Sequence, residues 1–303
     1  MEPPNCLFTR RHALLGLAGL PALAKGGRID HSRVSAITDE IARTPAGAIE
    51  FARQYGLQWL ELRSVPGVRK EYFQLEEAEI KQAALEFRDA GLRISFLNTS
   101  MLKYALPGYE PANPRTKDNG RHDRRMEEMK KAVTAAHILG VDKVRVFTYM
   151  RLVEPDKAMQ KVAGVLNELA EVASRERIHL LIENEGACNV GTAAELAALL
   201  KMVPSKWVGV NWDPFNAANR KEIAFPDGYE LLGAKRIRNV QIKGKSILPE
   251  YPDRLDWAAI FRRLEKDGYS GQVGLETHIF GEILVQKSHE SIREILKLVG
   301  KAS

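Results

Sequence analysis

Val208-Gly209-Val210-Asn211-Trp212-Asp213-Pro214-Phe215-Asn216 is a short apolar run that breaks off at an acid followed by a proline. A strand buried in a parallel sheet reads as a near-continuous apolar run. Proline has no N–H for the ladder, so Asp213 stands where a strand stops and a loop begins. Three other runs end in the same way. Residues 179–182 stop at Glu183, residues 237–242 carry a lone Gln241 near their end, and residues 272–275 stop at Glu276. The four polar positions are spaced by 30, 28 and 35 residues, each about one strand-plus-helix unit. Polar groups at the carboxyl ends of successive parallel strands point into one shared site.

Working outward, the same unit repeats along the chain. Strands are predicted at residues 33–37, 59–63, 92–98, 143–148, 179–183, 207–211, 237–243 and 272–276. Helices are predicted between them, at 45–55, 75–90, 123–139, 156–175, 192–202, 229–234, 257–267 and 288–299. Thr44 before Pro45 is a helix start, and Thr192 with Glu195 three residues on is a capping box. Gly56, Gly91, Gly140 and Gly268 close helices. Two segments, 99–122 and 214–228, are long and without periodicity, as lids and binding loops are. The first of them is expected to close over a bound ligand. Alternation of this kind implies a parallel sheet. Eight units in under 280 residues favour a single closed (β/α)8 TIM barrel, an α/β fold. The rival, an open doubly wound sheet, lacks its G-x-G-x-x-G phosphate turn here.

Hydrophobic residues make up 45% of the 303 and charged residues 28%, the balance of a soluble globular enzyme. The formal charge is +6, but basic residues are interleaved with acids, which speaks against nucleic acid as a partner. Cys6 and Cys188 make neither a disulfide framework nor a zinc motif. Residues 1–24 read as an address. Thr9-Arg10-Arg11-His12 precedes an apolar stretch, and Ala22-Leu23-Ala24 fits a small-residue cleavage site. That stretch is too short for a stable membrane span. Paired arginines before a mild apolar segment resemble a twin-arginine export signal; a disordered basic tail is the alternative. The expected organisation is a cleavable signal, 1–24, and one barrel domain, 25–303, delivered to the periplasm.

The strand-end series resembles the xylose isomerase-like barrels, a family of sugar phosphate isomerases and epimerases, from about Arg33 to the end. The matching pieces are Leu181-Ile182-Glu183-Asn184, Gly209-Val210-Asn211-Trp212-Asp213-Pro214, Val240-Gln241-Ile242-Lys243 and Gly274-Leu275-Glu276-Thr277. In that family these places hold one divalent metal through Glu, Asp, His and Glu. The resemblance therefore implies Glu183, Asp213, Gln241 and Glu276 as ligands. The chain departs from the pattern in three places. Gln241 replaces the usual His, Gly244 replaces an Asp, and Asn216 replaces a His. A glutamine carbonyl keeps an all-oxygen set possible and tilts the ion toward Mn²⁺ or Mg²⁺.

The chemistry that fits is proton abstraction beside the carbonyl of a carbohydrate. Glu183 and Glu276 would stand on opposite faces of the carbon and exchange roles as base and acid, with an enediolate between them stabilised by the ion. Proton return to the other face is epimerisation, and return to the neighbouring carbon is isomerisation. The same enolate could instead eliminate the aglycone of a 3-keto-glycoside, a lyase reaction. A barrel that only binds sugar is the non-catalytic alternative, and an endonuclease-like reading lacks the histidines at strand ends five to seven. Candidate substrate contacts are Glu61, Arg145, Asn216, Lys243 and His278. For Glu61 and Arg145, charges inside apolar strands, a structural pairing is equally open. Trp212 and Phe215 flank the metal position and could cover a sugar face or pack the loop. A homo-oligomer is also open.

Overall fold

The computed structural model describes residues 27–299, so the predicted signal, residues 1–24, lies outside the described residues. Eight parallel strands follow one another: β1 (Val34–Ala36), β2 (Trp59–Leu62), β3 (Arg93–Leu97), β4 (Lys143–Val146), β5 (His179–Glu183), β6 (Val208–Trp212), β7 (Ile237–Lys243) and β8 (Gln272–Glu276). β1 pairs with β8, and each strand from β8 back to β2 pairs with its sequence neighbour. A parallel bridge between Ile37 and Glu61 brings β1 against β2. The sheet is thus a nearly closed (β/α)8 barrel with helices between the strands, as the sequence predicts. None of the helices described is long and apolar enough to cross a membrane.

The side of the strands that meets the helices is apolar. Val208, Val210 and Trp212 are buried there, and the Trp212 ring packs 5.3 Å from that of Tyr229. The alternate residues turn inward, and in the upper half of the barrel they are polar: Ser35, Glu61, Arg145, Glu183, Asn211, Asn239 and Gln241 are all buried. Such an interior holds only if its groups satisfy one another, and the contacts below show that they largely do. Gly274 belongs to this layer. A Cβ there would run into Glu61 Oε1 and press on Ser35 Oγ, so β8 needs glycine where the Glu61 carboxylate crosses it.

The helix caps fall where the sequence places them. Thr44 accepts from Gly47 N, Thr192 and Glu195 form the capping box, and left-handed Gly140 (φ 68°) ends the helix Arg125–Leu139. Residues 214–228 differ from the irregular loop predicted. Asp213 caps a helix, Pro214–Asn219, with its side chain on Asn216 N, and a further turn, Ala224–Gly228, follows. Asp-Pro served as N-cap and first helical residue, not as a bare turn. Residues 99–122 carry no long element, yet they are pinned. Met101, Leu102, Tyr104 and Leu106 are buried. Phe147 N donates to Met101 O, Met150 N to Tyr104 O and Ala112 N to Arg151 O. Anchored so, the segment is a wall over β4 and not a free flap.

Candidate active site

The carboxyl ends of β5 to β8 bring three carboxylates together. Glu183, Asp213 and Glu276 are buried, and each offers an oxygen within 4.8 Å of the others'. Above them opens a cavity of about 260 Å³, lined by Glu185, Phe215, Asn216, Lys243, Lys245 and His278 among others. That is below the ~300–1,000 Å³ of pockets for drug-sized ligands and suits a small molecule.

Arg145 serves Glu183, Arg63 serves Glu276, and Lys243 is shared between Glu276 and Asp213. Arg145 Nη1 donates to Glu183 Oε2 at 2.9 Å, and Asn211 Nδ2 donates to the same oxygen at 2.9 Å. Glu183 Oε1 receives no hydrogen bond from the described residues. On Glu276 both oxygens are taken, Oε1 by Arg63 Nη1 at 2.9 Å and Oε2 by Lys243 Nζ at 2.7 Å. Arg63 also pairs with Asp39 and Glu40. Asp213 Oδ1 caps the helix by accepting from Asn216 N at 2.9 Å. Its Oδ2 accepts no hydrogen bond; Lys243 Nζ lies 3.3 Å away. The Asn184 amide clamps the backbone of Asp213, accepting from its N–H and donating to its carbonyl.

Burial pushes the Asp213 carboxyl up to about 7, with the charges of Glu183 and Glu276 adding and Lys243 opposing. Burial works the same way on Glu276, but Lys243, His278 and Arg63 hold that carboxyl well below the usual range. Burial disfavours the Lys243 ammonium, yet Glu276, Asp213 and Glu183 raise its pKa above that of a free lysine.

Gln241 sits one layer deeper. Its partner on β8 is Gly274, whereas Lys243 pairs with Glu276. Its Nε2 donates to Glu61 Oε2 at 2.7 Å, which leaves Oε1 buried and without a partner. Glu61 is the hub of this floor. It also accepts from Ser35, Asn98 and Asn239, and burial raises its pKa despite those bonds. A chain Glu183–Asn211–Asn239–Glu61 links floor to rim.

Of the residues picked from sequence, Glu183, Asp213, Glu276 and Lys243 meet directly. Asn216 and His278 line the cavity, Arg145 stands behind Glu183, and Gln241 and Glu61 form the floor. Phe215 faces the cavity, whereas Trp212 is core. His278 has a left-handed backbone (φ 51°), and its N–H donates to Glu40 Oε2 at 2.8 Å. Sequence reasoning missed Arg63, Asn184, Asn211 and Glu185. Arg63 follows Glu61 by two and shares its side of β2, so the strand-end rule applied to β2 would have found it. Asn211 precedes Asp213 by two and was within reach of the same rule, whereas Asn184, next to Glu183, had no such signal.

Any ion held among Glu183, Asp213 and Glu276 would meet oxygen donors, of which Asp213 Oδ2 lacks a hydrogen bond; Gln241 Oε1, one layer deeper, lacks one too. Buried oxygens of that kind fit a hard divalent cation, so these residues suit the implied group.

Residues 49–299 match the sequence model of the xylose isomerase-like TIM barrel family. No curated protein sequence matches the chain. Among solved structures, the IolI protein with a bound zinc atom is similar over 89% of this chain and 99% of its own, at 15% identity and TM-score 0.68. D-allulose 3-epimerase from Methylomonas sp., in complex with D-allulose, is similar over 92% and 97%, at 18% identity and TM-score 0.65. 3-Keto-D-glucoside 4-epimerase from E. coli is similar over 88% and 98%, at 17% identity and TM-score 0.64. At these identities the likeness is one of fold.

Proposed function

Since the chain belongs to the xylose isomerase-like TIM barrel family, we propose that it is a divalent-metal-dependent sugar isomerase or epimerase working through an enediolate. The observation that carries this reading is the meeting of Glu183 and Glu276 with Asp213 beneath a small polar cavity. A barrel that only binds sugar needs no paired bases. The epimerase neighbours and the zinc-bound one support it by analogy of fold.

Glu183, Asp213, Gln241 and Glu276 would hold the ion, Mn²⁺ or Mg²⁺, whose chemistry is to polarise the substrate carbonyl. The rest falls to side chains. Glu183 is held through Oε2 by Arg145 and Asn211, so its free Oε1 is the oxygen that takes a proton from the carbon beside the carbonyl. Glu276 must enter the cycle protonated to return a proton on the opposite side, which Lys243 opposes for as long as it holds Oε2. Asn216, Lys243 and His278 line the cavity and bind sugar hydroxyls. Glu61 and Arg145 are positioning residues, the first for Gln241 and the second for Glu183. One observation favours a lyase acting on a 3-keto-glycoside as the second reading. Phe280 is 67% exposed beside His278 at the mouth, an apolar platform for an aglycone.

Solvent-deuterium incorporation across ketoses, aldoses and 3-keto-glycosides, with and without Mn²⁺, tests the proposal. Mn²⁺-dependent exchange at the carbon beside a carbonyl is expected. No exchange with any sugar in metal-loaded protein would sink it.

A further inference from the structure

Lys243 lines the cavity, yet its ammonium lies among the carboxylates. Its side chain is 3% exposed, and Nζ is 2.7 Å from Glu276 Oε2 and 3.3 Å from Asp213 Oδ2. Those are two of the oxygens a divalent ion in this cluster would need. An ammonium this close to Glu276 Oε2 and Asp213 Oδ2 competes with a metal for their lone pairs and adds like-charge repulsion between the two cations. Arg145 and Arg63 do not conflict in this way. Arg145 holds Glu183 Oε2 and leaves Oε1 clear, and Arg63 holds Glu276 Oε1 and leaves Oε2.

We propose that Lys243 is a built-in counter-ion that occupies the cluster until a divalent ion displaces it, after which its ammonium turns to the cavity it lines. The inference rests on the metal reading of the same site. Before displacement, Lys243 offsets the buried charge of Glu276 and Asp213, whose other partners are Arg63 and the Asn216 N–H. After displacement, Glu276 Oε2 is released from the lysine, and the cavity gains a cation that can meet a sugar oxygen. Metal uptake thereby readies both the acid–base pair and the substrate contact.

The test is metal affinity, measured by titration calorimetry with Mn²⁺ on metal-stripped protein. Lys243→Met removes the competitor, so it should bind Mn²⁺ at least about tenfold tighter than wild type, ~1.4 kcal/mol. Lys243→Arg keeps the charge and should gain nothing. Stripped Lys243→Met should melt lower than stripped wild type and gain more on adding Mn²⁺. Should the Met variant not fold, reductive methylation of the wild type reads the same event. Lys243 should be modified slowly in stripped protein and faster with Mn²⁺. Equal or weaker Mn²⁺ binding by the Met variant, or no change in methylation, overturns the displacement while leaving the metal site standing. Failure of wild type and both variants to bind Mn²⁺ would remove the metal reading and the displacement with it.

Discussion

Arg145 and Glu183 form a closed ion pair: Nη1 lies 2.9 Å from Oε2, and the side chains are 6% and 1% exposed. Arg145 Nε also donates to Thr99 O. Removing one partner of a buried pair leaves the other charge uncompensated, which costs about 3–5 kcal/mol. Arg145→Met should therefore lose that much in denaturant unfolding, and adding Glu183→Gln should recover much of it. A single variant as stable as wild type would show that the pair holds nothing.

Catalysis and ion binding should separate by residue. Glu→Gln keeps shape and one donor oxygen but removes the base. Glu183→Gln and Glu276→Gln are each expected to retain much of the metal affinity while turnover falls by roughly 10²–10⁴-fold. Asp213→Ala should lose both together, with partial rescue at high Mn²⁺. Metal-loaded Gln variants working near the wild-type rate would refute the two-carboxylate mechanism.

His179, at the opposite end of β5, gives a pH prediction independent of the site. Burial and then Arg238 push its imidazole down to about 4, its Nδ1 lacks a partner, and its ring packs on Trp207. The unfolded chain takes up this proton near 6.5 and the folded one only near 4. The stability that neutral His179 contributes is thus complete above pH 6.5 and lost as pH falls from there toward 4. In His179→Phe the drop in melting temperature between pH 7 and pH 4.5 should be smaller than in wild type. An unchanged drop would rule His179 out as a cause of acid instability.

Cys188 is buried, and burial pushes its thiol up to about 12. In protein lacking residues 1–24, a disulfide reagent should find almost no thiol until denaturant is added. Prompt labelling of the native protein would contradict the packing around the 184–192 loop.

We propose that residues 1–24 direct export. Replacing Arg10 and Arg11 with lysine should trap precursor in the cytoplasm, read by fractionation. An unchanged periplasmic yield would dispose of the twin-arginine route.

The barrel was legible because apolar runs recur with helix-length spacers between them, and β5 to β8 each end at or next to an acid or a glycine. Glu183, Asp213 and Glu276 were legible for the same reason. What the sequence hid was depth and pairing. Period two puts Gln241 and Lys243 on one side of β7, but only the register against Gly274 and Glu276 shows that they lie in different layers. Nor could a single chain reading tell that Lys243 points at two acids from other strands, since contacts between residues about 30 apart depend on which strands lie side by side and in what register. Residues 99–122 looked like a lid because buried tyrosine and methionine in a proline-rich stretch carry no period to count.

The contact between Gly274 and Glu61 also fixes an order of events for variation in this fold. Alanine at 274 would collide with the Glu61 carboxylate while Glu61 keeps its length. Glu61→Asp would make room by shortening the side chain, but would withdraw the acceptor from Gln241 Nε2. So one path runs through position 61 first and 274 second, and the reverse path passes through a protein whose floor no longer closes. Mutational libraries that vary the two positions singly will score both as intolerant. Only a library that varies them jointly can reveal whether the floor has a second solution.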